Sequence, residues 1–332
     1  MRDAQLGTTS PVTTANLGLG LMGMSALYGP ADQEEAVKTI HSALDAGVTL
    51  LDTGDFYAMG DNEMLLNRAL RGRDRDQALI SVKFGALRGP DGAWFGYDLR
   101  PEAVKNSLAY SLKRLGVDHI DIYRPARLDP NVPIEETVGA LAEMVEAGYI
   151  RHIGLSEVGA ETIRRAHAVH PITDVQIEYS LFSRGIERDV LPAVRELGIG
   201  VTAYGVLSRG LLSGHWTPDR GLSGQDFRSF SPRFRDENLD RNLSLVERLR
   251  KVAEAKGLTT AQAAIAWVAA QGTDIVPLVG ARTRERLAES LAAADVELTQ
   301  SDLDAISAAV PADRVAGDRY PEPLMAELDS EK

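Results

Sequence analysis

The chain has 332 residues, a formal net charge of −12, 44% hydrophobic and 25% charged residues, and no cysteine. The missing cysteines exclude disulfides, thiolate metal sites and a thiol nucleophile. The acidic balance argues against a nucleic-acid partner, which needs concentrated positive charge, and no apolar run is long enough to span a membrane.

In chain order, residues 2–16 hold a Gly7/Ser10-Pro11 turn between short β-prone pieces, the pattern of a hairpin plugging a barrel bottom. Apolar strand-like runs follow at Leu17–Gly20, Thr49–Asp52, Leu79–Lys83, Ile120–Arg124, Arg151–Leu155, Asp174–Glu178, Gly200–Tyr204 and Ile275–Gly280. Several are continuously apolar, as strands buried on both faces are. Helical stretches lie between them. Asp32 caps the first, with an apolar stripe at Ala36, Ile40, Ala43 and Leu44 and a stop at Gly47. Pro101 opens Glu102–Leu115, closed by Gly116, and Pro133 precedes Ile134–Ala147, closed by Gly148. Further helices are predicted at Gly159–Val169, Ile186–Leu197 and Thr283–Ala293.

Eight strands, each followed by helix, predict an α/β fold: a (β/α)8 TIM barrel with an N-terminal β-hairpin plug and a long loop after strand seven. No composition break divides it, so 1–332 reads as one barrel domain, with a cofactor-side loop at 205–240 and a C-terminal tail at 294–332. Met1 is not followed by a basic segment and an apolar core, so no signal peptide is read, which fits a cytoplasmic protein. Gly18-Leu19-Gly20-Leu21-Met22-Gly23 matches the dinucleotide fingerprint G-x-G-x-x-G. That fingerprint requires a helix to open directly on the third glycine. Here Ser25–Pro30 intervenes, so the segment is read as a βα loop that approaches a ligand closely, with Gly20 and Met22 as cofactor contacts.

Working residues of such a barrel sit at the C-terminal ends of its strands. Asp52 ends strand two, Tyr57 lies in the loop after it, and Lys83 ends strand three, so the three converge on one face. An ammonium near a phenol favours the phenolate, so Lys83 is expected to lower the Tyr57 pKa. Tyr57 is then placed to act as a general acid or base. The other reading is a buried Asp–Lys pair that packs the barrel.

Cofactor contacts are placed on the other strand ends. Ser156 and Gln176 can hold a carboxamide, which both donates and accepts. Tyr204 can stack on a flat ring. In the segment Tyr204–Leu212, Gly205, Leu207, Ser208, Arg209, Gly210 and Leu212 offer small residues and backbone amides to a pyrophosphate. Gly280, Arg282 and Arg286 enter a helix after the last strand, a setting suited to a phosphate, while Arg284 reads as an exposed helix charge.

Over Leu17 to about Ala293 these blocks resemble the aldo-keto reductases in order and spacing. The resemblance implies an NADPH-dependent reductase of aldehydes or ketones. It places Asp52, Tyr57 and Lys83 at catalytic positions, and Ser156, Gln176 and Tyr204 at nicotinamide contacts. Ser208–Leu212 matches the pyrophosphate loop, and Arg282, Arg286 and Glu289 the adenosine-phosphate end. Glu157 and Ser290 stand where the family often carries Asn. Tyr-Gly-Pro near Pro30 and Arg127-Leu128-Asp129-Pro130 are most similar to microbial members related to channel β-subunits.

The family also uses a histidine in Asp-Leu-Tyr-x-x-His; here Asp121-Ile122-Tyr123-Arg124-Pro125-Ala126 puts Ala126 in its place. Arg124 lies two residues earlier, hence on the same strand face, and either replaces the histidine as a fixed-charge donor or pairs with a buried carboxylate such as Glu178. Phe56, Tyr57, Trp94 and Arg127 are substrate-contact candidates, although the aromatics of Trp94-Phe95-Gly96-Tyr97 can equally pack their loop onto the barrel. The 205–240 segment is expected to cover the cofactor as a lid. The six histidines lack metal-ligand spacing, so no metal is expected. The expected partner is a small-molecule carbonyl compound, and a homo-oligomer is compatible. The alternative function is an NADPH-binding regulatory subunit with weak or no turnover.

Overall fold

The computed structural model describes every residue except 26–27, 218–219 and 223–225. Parts of the Ser25–Pro30 connection and of the proposed 205–240 lid therefore lie outside the described residues. Twelve strands are described: β1 Asp3–Leu6, β2 Val12–Ala15, β3 Gly18–Gly20, β4 Leu50–Gly54, β5 Leu79–Phe84, β6 Ala86–Arg88, β7 Trp94–Tyr97, β8 Ile120–Pro125, β9 Ile150–Ser156, β10 Ile172–Glu178, β11 Gly200–Tyr204 and β12 Ile275–Gly280. The eight from β3 to β5 and β8 to β12 close a parallel barrel in chain order, with β12 returning to β3. All eight strands read from the sequence are these staves. The G-x-G-x-x-G segment is β3 followed by a short 3-10 turn, Met22–Met24, which confirms that no helix opens on its third glycine.

The helices follow the sequence punctuation. Asp32 accepts from the Glu34 and Glu35 amides at the start of Gln33–Asp45. Pro101 opens a helix to Leu115, and Gly116 closes it in the left-handed conformation at φ 69. One boundary differs. Instead of a helix over Ile186–Leu197, a 3-10 turn Gly185–Glu187 precedes a helix Val190–Glu196. Pro192 is tolerated only in a first turn, so the helix cannot begin much earlier. The sequence reading also passed over a hairpin, β6–β7, on the mouth side, three helices before β12, Asp61–Leu70, Asp236–Glu254 and Thr260–Ala269, and Gln300–Ala309 in the tail.

Two cores hold the barrel. The larger lies between staves and helices, with Leu19, Leu51, Ile80, Val82, Leu155, Val175 and Val201 facing outward into it. The smaller fills the barrel bottom: Leu6 and Val12 from the antiparallel β1–β2 hairpin meet Leu50, Ile122, Val276 and Leu278. Gly200 permits this plug, because a Cβ there would lie 2.8 Å from the Leu6 Cα. His152 sits at the same end, with Ser10 Oγ 2.8 Å from its Nδ1. The opposite end is left to polar side chains. Register aligns them: Gly20 with Asp52, Gly54 with Lys83, Ser156 with Gln176, and Glu178 with Tyr204.

Candidate active site

Asp52, on β4, is buried among three donors. Lys83 Nζ donates to Oδ2, while Ser81 Oγ and Gln176 Nε2 each donate to Oδ1 at 2.8 Å. Lys83 Nζ also donates to Gln176 Oε1 at 2.9 Å and lies 5.2 Å from the centre of the Tyr57 ring. Tyr57 opens a 3-10 turn in which Ala58 and Met59 take left-handed backbone conformations. Its ring rests on Gly54, where a Cβ would come within 3.2 Å of it. Non-glycine residues with positive φ also occur at Glu157, Ser208 and Arg209, all in loops at strand C-termini. Such strain collects at functional sites.

The electrostatics correct one expectation. Burial, reinforced by the Asp52 charge, pushes the Tyr57 phenol well above its usual range, and the opposing cation is Arg127 rather than Lys83. Burial pulls the Lys83 ammonium down, with Arg124 and Arg127 adding to it and Asp52 acting against them. Tyr57 is therefore held as a phenol.

Arg124 requires a second correction. Its side chain is fully buried and runs down the barrel, where Nη1 donates to Asp174 Oδ2 at 3.0 Å and Nη2 to Ser81 Oγ at 3.0 Å. Its carboxylate is Asp174, not Glu178, which instead faces Arg209 at 3.6 Å and Arg233 at 3.3 Å. A guanidinium enclosed in this way does not meet substrate; it reaches Asp52 only through Ser81.

The cofactor candidates divide. Ser156 Oγ is buried with no hydrogen-bond partner among the described residues, an atom still in want of one. Gln176 is engaged by Lys83 and Asp52. Tyr204 donates to Glu157 Oε1 at 2.6 Å, and its hydroxyl lies 3.0 Å from that of Tyr320. Glu157 does not point to a carboxamide: it takes two hydrogen bonds from Arg319, at 2.8 and 2.6 Å, and one from Ser330. Gly205 lets the chain turn tightly over Glu178, whose Cγ would lie 3.0 Å from a Cβ there. Leu207, Ser208, Arg209 and Gly210 form the next turn, with φ of 45, 56 and 103 over the last three, a loop shape that gathers amides toward an anion. The Leu212 side chain is in the core, so only its backbone belongs to this loop. Arg209 lies over the Tyr320 ring at 4.5 Å.

At the β12 end, Arg282 donates to the Tyr28 and Pro30 carbonyls, tying the loop after β3 to the segment after β12, its neighbour in the barrel. Arg286 Nη1 lies 2.6 Å from His215 Nε2 and 3.3 Å from Glu289 Oε2. Ser290 is buried beneath them, Gly280 is exposed, and Gly20 and Met22 are half-buried at the mouth. Burial and the charges of Arg228, Arg282 and Arg286 hold Arg220 below its usual range, so cations concentrate here. Arg284 pairs with Glu35, the surface role read for it.

The substrate candidates form an aromatic wall. Phe56 meets Tyr57 edge-on at 4.8 Å and Trp94 at 5.9 Å, and Trp94 meets Tyr97 at 5.5 Å. Trp94 remains 39% exposed, so it both packs the β6–β7 hairpin and faces the opening. Arg127 follows Ala126 at the same opening. No group of three or more His, Cys, Asp or Glu suited to a metal occurs among the described residues, and no described helix is long and apolar enough to cross a membrane.

A family model, "Aldo/keto reductase family", matches residues 16–311. The chain belongs to the aldo-keto reductases. It is 42% identical over 323 residues to a probable aldo-keto reductase of Glycine max, a match covering 96% of this chain and 92% of the relative. Its fold is similar to the glycerol dehydrogenase of Gluconobacter oxydans, with a TM-score of 0.84, 29% identity, and 93% and 96% of the two chains covered. It is also similar to the holo form of an aldo-keto reductase of Bacillus halodurans, with a TM-score of 0.77, 26% identity, and 94% and 97% covered. This aldo-keto reductase is an oxidoreductase of the carbonyl-reducing kind, in a family that uses nicotinamide cofactors.

Sequence reasoning missed the tail of the reductase. Arg319 and Tyr320 bring a cation and a phenol from near the C-terminus to Glu157, Tyr204 and Arg209. The one signal available was an Arg-Tyr pair between Gly317 and Pro321 in an otherwise acidic stretch.

Proposed function

We propose that this reductase catalyses the NADPH-dependent, reversible reduction of an aldehyde or ketone to an alcohol, with Tyr57 as the proton donor. The observation that carries this reading is the Tyr57 ring over Lys83, with Lys83 held by Asp52, at the C-terminal ends of adjacent staves.

A bound nicotinamide supplies the hydride. Ser156 would take its carboxamide, which would satisfy the orphaned Oγ. The loop from Gly205 to Leu212 would hold the pyrophosphate, and the cations near Arg220, Arg282 and Arg286 would relieve their repulsion on a 2′-phosphate. That cluster favours NADPH over NADH.

Tyr57 presents its hydroxyl to the carbonyl oxygen as a phenol, because burial opposes the phenolate. As the carbonyl oxygen becomes an alkoxide, a far stronger base than a phenolate, the proton moves from Tyr57 to it. The Lys83 ammonium, held in place by Asp52 and Gln176, and the Arg127 guanidinium face the phenolate left behind. Arg124 positions this assembly from below through Ser81. Ala126 stands where the family histidine would donate to the carbonyl oxygen. Phe56 and Trp94 exclude water from one side of the carbonyl.

NADPH consumption with a panel of aldehydes and ketones, followed at the nicotinamide absorbance, tests the reading. Tyr57→Phe should abolish turnover while NADPH still binds; turnover surviving that change would overturn the role given to Tyr57. Arg286→Met should raise the KM for NADPH roughly tenfold and leave that for NADH unchanged.

A further inference from the structure

Most arginines around the barrel mouth and interior lie within ion-pair distance of a carboxylate. Arg209, Arg233 and Arg319 face Glu178, Arg319 also holds Glu157, Arg228 holds Asp226, and Arg124 holds Asp174. Arg127 differs. Among the described residues no carboxylate oxygen comes within 4.0 Å of it. Its polar contacts are the Ala126 carbonyl at 2.6 Å from Nη1 and the Tyr320 hydroxyl at 3.4 Å from Nη2. The groups whose fields reach it are phenols, Tyr57, Tyr97, Tyr204 and Tyr320, together with Lys83 and Glu157. Glu157 does not neutralise it, because both its oxygens are taken by Arg319, Tyr204 and Ser330.

A half-buried guanidinium without a counter-ion is costly, and it is relieved when an anion arrives. Its planar fork matches a carboxylate with two parallel hydrogen bonds. Arg127 directly follows Ala126, a buried residue just past the C-terminal end of β8. The cations assigned to the cofactor phosphates cluster near Arg220, after β11 and β12, whereas Arg127 follows β8.

We infer that Arg127 is a specificity-determining residue that anchors the carboxylate of the substrate, so that this reductase prefers carbonyl compounds carrying an acid group. Tyr320 supports the anchor from the C-terminal tail. The inference rests on the reductase reading for what happens at the carbonyl, but not for the anion site itself.

Two measurements test it. The first compares kcat/KM for short aldehyde acids of two to six carbons with that for their methyl esters, using NADPH. The wild-type enzyme should favour at least one acid over its ester by roughly 10–100-fold. Arg127→Met should bring that ratio close to one, whatever it does to the absolute rates, and Arg127→Lys should retain part of it, since an ammonium keeps the charge but not the fork. The second measures binding of unreactive saturated acids, propanoate to hexanoate, by calorimetry on the full chain. Binding should be present in the wild type, lost in Arg127→Met and absent for the matching amides, with thermal melting as the check on folding. Equal use of acids and esters, a preference that survives Arg127→Met, or no acid binding would overturn the anchor. Acid binding that depends on Arg127, without turnover of any carbonyl, would keep the anchor and overturn the reductase reading instead.

Discussion

Arg124 Nη1 donates to Asp174 Oδ2 at 3.0 Å inside the barrel, with neither side chain exposed. The pair fills the layer above the apolar plug. Thr202 Oγ1 donates to the same carboxylate, and Gly154 leaves the space, since a Cβ there would lie 2.6 Å from Asp174 Oδ1 and 3.2 Å from Arg124 Cζ. Ser81 links this layer to Asp52 above it.

Removing one partner of such a pair strands the other charge. Arg124→Met should therefore destabilise the fold by about 3–5 kcal/mol, read by denaturant unfolding. The double variant Arg124→Leu/Asp174→Leu should recover much of that loss. If Arg124→Met unfolds like the wild type yet binds substrate poorly, the arginine belongs to the substrate site after all.

Ser156 makes the opposite prediction. Its Oγ is buried and unpaired, so Ser156→Ala removes an unsatisfied polar atom and should leave stability unchanged or slightly raised. NADPH affinity should fall roughly tenfold. Fluorescence titration with NADPH checks this, and unchanged affinity would remove Ser156 from the cofactor site.

Asp55 supplies a pH dependence. Burial, followed by the charge of Glu63, raises its carboxyl to about 7, and its Oδ1 has no partner among the described residues. A carboxyl whose folded pKa is raised favours the folded state below its unfolded pKa, and that contribution is lost as pH rises through about 7. The wild type should lose up to about 4 kcal/mol from this group between pH 4 and pH 8. Asp55→Asn should lack that loss. Thermal melting across this range decides, and parallel curves for the two proteins would refute it.

The tail should depend on Arg319. Burial acts to raise the Glu157 carboxyl, but the charge and hydrogen bonds of Arg319 outweigh it and hold the group well below the usual carboxylate range. Its contribution is thus present above the unfolded carboxylate range and is lost only in strong acid. Arg319→Met at neutral pH should leave Glu157 without its main partner and free the chain beyond Pro311. Limited proteolysis should trim that variant and spare the wild type; equal resistance would show that the tail is held by other contacts.

Much of this was legible in the chain because it depends on local rules. Glycine and proline punctuation fixes where Pro101–Leu115 begins and ends. Continuous apolar runs mark staves buried on both faces. The positions of Asp52, Tyr57 and Lys83 follow from strand ends in a parallel barrel, since each stave must deliver its last residues to the same rim. The β6–β7 hairpin was harder, because its strands are short and Gly85, Gly89, Gly92 and Gly96 around and within them read as loop.

The sequence by itself determined the barrel, its family and the strand-end positions of the proposed catalytic trio, because strand periodicity, helix caps and residue spacing are properties of neighbouring residues. Only the tertiary structure decided which carboxylate Arg124 takes, that Glu157 clasps Arg319, and that Arg127 meets phenols and, among the described residues, no counter-ion. The Arg124–Asp174, Arg319–Glu157 and Arg127–Tyr320 contacts join residues 50, 162 and 193 positions apart. Which of several buried cations meets which anion is settled by the depth each side chain reaches in the closed barrel and by the space its neighbours leave, as Gly154 does.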